Sequence, residues 1–151
     1  MAYEPTLSFH EILTKVNNAK DKPKKIEVLR RYDTKELRAL MKAAFDLKVK
    51  FILPKERPPF TLNEAPIGTE HTWLKQEVNR LYHFVEGGND ELTAMKKETM
   101  FVQMLEGLSA EEAELLIIVK DKKLNTVYKG LTEAVVKEAF HWNEDFMRRN
   151  D

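Results

Sequence analysis

Five lysines crowd the stretch KDKKLNTVYKGLTEAVVK: Lys120, Lys122, Lys123, Lys129 and Lys137. A second basic group, Arg30, Arg31, Lys35 and Arg38, lies earlier in the chain. Ammonium and guanidinium groups on a loop that leads into a helix suit one kind of chemistry, the holding of an anion. The side chains supply charge, and the unpaired amides of the helix start supply donors. Gly130 offers a bend and Thr132 a cap for a helix running to Phe140. The turn has few Arg, Asn or Gln side chains to read base edges, so contact with a phosphate backbone is expected rather than sequence-specific recognition.

Other chemistries find little support. None of the five glycines has the spacing of a phosphate-cradling loop. His10, His71, His83 and His141 do not pair at helical spacing, so no helical metal site is expected and no cofactor is called for. Glu111, Glu112 and Glu114 read as negative charge at a helix start, not as an acid–base cluster. A non-enzymatic protein, with no small-molecule substrate, is the expectation. The lack of cysteine excludes disulfides and thiolate metal sites.

The basic turn must be positioned by what precedes it. Ser109 with Glu112 three residues on is a capping box, and Leu115–Val119 is apolar on every face, so this helix is expected in the interior. It would deliver Lys120, Lys122 and Lys123 to the surface where it leaves the core. Ser8 with Glu11 opens an earlier amphipathic helix through Ile12, Leu13 and Val16, and Pro23 sits in the first turn of a second. Asp33 with Glu36 starts a third, whose Leu37, Leu40, Met41, Ala44 and Phe45 give the cleanest helical face. Residues 46–66 lose the period and carry four of the six prolines, which makes them a crossing loop with a short extended piece at 49–53. A fourth helix is expected at about 70–85, with Leu74, Val78, Leu81, Tyr82 and Val85 inward and Gly87 as its C-cap. A fifth at about 92–105 carries Met95, Phe101, Val102 and Leu105. The expectation is thus an all-α, single compact bundle of about six to seven helices with one proline-rich crossing loop. The ordered core spans 7–141, and residues 143–151 form a frayed tail.

The formal charge is zero, but it is unevenly placed. Residues 15–57 hold 14 Lys/Arg against 6 Asp/Glu, residues 61–118 hold 4 against 11, and residues 119–137 hold 5 against 2. Two basic segments flank an acidic one. The longest apolar run is far too short to span a bilayer, and no signal-peptide layout opens the chain, so a cytoplasmic protein without membrane contact is expected.

With these residues in view, the chain resembles the all-helical N-terminal DNA-binding domain of phage-type ATP-dependent DNA ligases. The likeness rests on AKDKPKKIEVLRRY (19–32), on Phe45-Asp46 followed by VKFILP, and on Asp121, Gly130, Thr132 and AVVKEAF. Lys129 stands where those ligases have Arg, the turn from Asp121 to Gly130 is longer, and the nucleotide-attachment Lys-x-Asp-Gly motif is absent. The resemblance implies a DNA-binding module without ligase activity. The chain also looks like a small uncharacterised protein family of tailed phages, which implies the host-cell interior as its setting. The expected function is therefore sequence-independent binding of duplex DNA through Lys120, Lys122, Lys123, Lys129, Gly130 and Thr132, with Arg30, Arg31, Lys35 and Arg38 as a second contact. The alternative is a phage adaptor or host-takeover factor that binds a phage or host protein and no DNA.

Overall fold

A computed structural model describes residues 7–55, 58–60 and 72–141. Their fold is all-α. Helices α1 (Phe9–Asn18), α2 (Lys22–Arg31) and α3 (Lys35–Phe45) come first. A single turn, α4 (Leu74–Glu77), runs directly into a 3-10 helix, Val78–Phe84. Helices α5 (Ala94–Gly107), α6 (Ala110–Lys120), the short α7 (Leu124–Val127) and α8 (Glu133–Phe140) complete the described chain. The expected tail, together with Trp142, Pro66 and His71, lies outside the described residues.

Helix α6 runs through the interior because its second half, residues 115–119, has no polar face to offer. Leu115, Leu116, Ile117 and Val119 are all buried, and α1, α3 and α5 pack around it. On one side α2 packs against α1 and α8; on the other the 3-10 helix packs against α3 and α5. Leu13, Leu29, Leu37, Leu40, Met41, Phe84, Phe101 and Phe140 fill the space between these layers.

Several expectations are corrected. The fourth helix is mostly 3-10, so its inward residues recur every third position as Val78, Leu81 and Phe84. Tyr82, expected inward, is 52% exposed, and Val85 leaves the helix to form an antiparallel bridge with Phe51. That bridge is the extended piece anticipated at 49–53. Helix α3 is capped by Thr34, whose hydroxyl accepts from the Leu37 amide, while Asp33 instead grips Arg38. Met95 is 77% exposed at the start of α5, and Met104 takes the core position. Gly87 does take the left-handed conformation (φ 85°), in the turn beyond the bridge rather than as a helix cap.

The capping box at Ser8 and Glu11 forms in both directions. The one at Ser109 forms in one direction only: the Glu112 amide donates to Ser109 Oγ. The Glu112 carboxylate is buried (1% exposed) and accepts from the amides of Phe9 at 3.2 Å and Leu74 at 3.1 Å. Phe9 opens α1 and Leu74 opens α4, so one carboxylate satisfies two helix starts that are remote in sequence.

Candidate polyanion-binding surface

The α6–α7 turn closes as a Schellman motif: the Lys123 amide donates to Ile118 O and the Lys122 amide to Val119 O. Glycine is the usual residue at the left-handed position of this motif. Here Lys122 holds it, with φ 59°. Its side chain folds back into the molecule. Nζ donates to the carbonyls of Ala43 and Asp46, capping the C-terminus of α3, and lies 5.5 Å from the Phe51 ring centre. Burial lowers the Lys122 pKa, and the nearby Asp46 charge opposes that shift. Lys120 is deeper still. Its side chain is 2% exposed, with Nζ 2.8 Å from Pro54 O and 2.6 Å from Asp121 Oδ1.

Lys120 and Lys122, expected on the surface, are therefore internal clamps. An apolar helix that runs to the end of α6 carries Lys120 inward with it, and the left-handed backbone at Lys122 aims that side chain at α3. Gly130 is likewise no open bend. Its amide donates to Asn17 Oδ1 at 2.7 Å, and an added Cβ would come within 2.9 Å of Lys25 Cε and 3.1 Å of Asn17 O. Thr132 caps α8, accepting from the Val135 amide. Of the residues expected in this turn, Lys123 and Lys129 stay exposed.

At the earlier corner Arg30 and Arg38 make bonds within the molecule, while Arg30, Arg31 and Lys35 remain exposed. Arg30 donates through Nε to Ala139 O at 3.0 Å and through Nη2 to Glu138 O at 3.1 Å, which caps the C-terminus of α8. Arg38 holds Asp33 with two bonds of 2.7 Å and lies 5.2 Å from the Phe140 ring centre. The paired carboxylate raises its pKa. Arg31 lies over Tyr32, and Lys35 is exposed at the first position of α3. Arg30 and Arg38 thus meet at the far end of α8, about 10–12 Å along that helix from Thr132.

What the clamps do is bring other lysines in. Lys122 bound to Asp46 O and Lys120 bound to Pro54 O hold residues 46–54 against the α6–α7 turn. Lys48, Lys50 and Lys55, all exposed, are carried there with it beside exposed Lys123. Two acids of this neighbourhood are already engaged, since Asp46 Oδ1 accepts from the Lys48 amide and Asp121 pairs with Lys120. On the other side of α7, the docking of Gly130 on Asn17 and Lys25 sets exposed Lys129 beside the α1–α2 turn, where Lys20, Lys22 and Lys24 are exposed. Lys22 has a long contact of 3.7 Å to Glu138. Between the two groups α7 shows Asn125, Thr126 and Val127 to solvent. Sequence reading missed Lys48, Lys50 and Lys55, because nothing in their spacing tells that two buried lysines fasten their segment to a distant turn.

Fold and surface together define an all-α protein with exposed lysines on three chain segments that the Lys120, Lys122 and Gly130 contacts tie together. Among the described residues no group of three or more metal-ligating side chains occurs, and no helix is long and apolar enough to cross a membrane. Residues 12–126 match the model of a family of unknown function, DUF6433, and the chain belongs to that family. No curated protein and no solved structure matches the chain.

Proposed function

We propose that the protein is a non-catalytic, sequence-independent binder of duplex DNA that rests α7 against the phosphate backbone. Lys48, Lys50, Lys55 and Lys123 contact phosphates on one side of that helix; Lys129, Lys20, Lys22 and Lys24 do so on the other. The observation that carries this reading is the gathering of these lysines by the Lys120, Lys122 and Gly130 contacts. The resemblance to ligase DNA-binding domains points to the same reading. The three stretches that carry it, 19–32, 45–54 and 121–140, are joined by the Lys120, Lys122 and Gly130 contacts and by the packing of α2 on α8.

Eight neutralised phosphates would give a log–log salt slope of about −7, at roughly −0.9 per phosphate. Titration of a fluorescent duplex by anisotropy at several salt concentrations measures it. Replacing Lys48, Lys50 and Lys123 together by Gln should weaken binding and flatten the slope by about two to three units; unchanged affinity rejects the surface.

Leu47 at 79% and Ile52 at 41% exposure favour a second reading, an adaptor for a phage or host protein, because they place apolar area among the same lysines. In that case a stoichiometric partner survives nuclease treatment and moderate salt, and Leu47→Asp releases it.

A further inference from the structure

Between the crossing segment and α5 lies a cavity of about 420 Å³, within the range of small-molecule sites. Leu53, Pro54, Pro58, Pro59, Phe101 and Val102 supply apolar walls. Lys120 lines it as well, as a buried cation in these apolar surroundings. An ammonium has three N–H donors. One goes to Pro54 O and one to Asp121 Oδ1, and the third has no described acceptor.

We propose that this cavity binds an uncharged, largely apolar small molecule of about bicyclic size, whose one acceptor oxygen takes the remaining Lys120 N–H. Volume and wall chemistry set the apolar body. Charge sets the rest. Asp121 already matches the Lys120 ammonium at 2.6 Å, and Glu98 stands on the wall of the same cavity, so an anionic guest would meet a carboxylate without an uncompensated cation to offset it. A ketone, amide or ether oxygen uses the leftover donor without that repulsion. The site is separate from the lysine surface, since Lys123, Lys48 and Lys50 do not line it.

The probes are 2-acetylnaphthalene and 2-ethylnaphthalene, titrated against the full chain by ligand-observed NMR. The ketone should bind about tenfold more tightly than the hydrocarbon, the ratio that one hydrogen bond to a charged donor supplies. Val102→Trp, which fills the cavity from its half-buried rim, should abolish binding of both while leaving the melting temperature close to that of the parent chain. Lys120→Met should erase the preference for the ketone. Should that variant fail to fold, the ketone-to-hydrocarbon ratio and the Val102→Trp result decide. Equal affinities for the two probes, retention of binding in Val102→Trp, or no binding of either at millimolar concentration would each overturn the proposal.

Discussion

Glu112→Ala should be among the most damaging single substitutions in this protein. The side chain is 1% exposed, and its carboxylate accepts from the Phe9 and Leu74 amides at 3.2 and 3.1 Å. Removing it leaves two helix-start amides buried without that acceptor, at a cost of about 1–3 kcal/mol each. Loss of a negative charge near two helix N-termini adds about 0.3–1 kcal/mol apiece. The sum, about 3–8 kcal/mol, is a large part of the 5–15 kcal/mol typical of a domain. Glu112→Gln separates the contributions. The amide keeps the shape and one acceptor oxygen, but turns an NH2 group toward the second backbone N–H, so about half of the loss should remain. Urea unfolding followed by circular dichroism measures both variants, with the slope m checked for constancy. Hydrogen exchange at Phe9 and Leu74 should accelerate in Glu112→Gln, ahead of the rest of the core. A loss below about 1 kcal/mol in Glu112→Ala would refute the idea that this carboxylate fastens α1 and α4 to α6.

Two further substitutions probe the turn and its neighbours. At Lys122, Gly should be more stable than Ala by about 1 kcal/mol, the reverse of the order inside a helix, because φ is 59° there; equal melting temperatures would contradict the left-handed backbone. Both variants should fall below the parent chain, since neither caps the C-terminus of α3. Burial raises the Tyr128 pKa above 10.0, with a hydrogen bond to Thr14 opposing the shift. Above about pH 10 the unfolded chain therefore releases this proton while the folded chain retains it, and stability falls as pH rises. Urea titrations at pH 9 and pH 11 should show that fall diminished in Tyr128→Phe, and an identical pH dependence in both proteins would exclude the effect.

Local pattern was enough for much of the fold. The helical spacing of Ile12, Leu13 and Val16, and of Leu37, Leu40, Met41 and Ala44, follows from burial of one face, which any stable arrangement of those segments must achieve. The all-apolar run at 115–119 likewise has no place except the interior. Local pattern failed at Val78–Phe84, where a period of three and a period of 3.6 differ by one residue over seven. The bridge that binds Phe51 to Val85 accompanies the tighter winding, and no local signal reports it.

The sequence alone determined that positive charge would gather in the segments around Lys20–Lys25 and Lys120–Lys129, because composition is fixed before folding. Which of those charges reach solvent was decided by tertiary structure. Lys120 and Lys122 lie beside Lys123 in the chain, yet carbonyls of Pro54, Ala43 and Asp46 draw the first two inward and leave the third outside. A carbonyl that no residue of its own helix satisfies attracts whichever ammonium the fold brings near it. That pairing joins residues more than sixty positions apart, and for that reason nothing in the local spacing of the lysines could announce it.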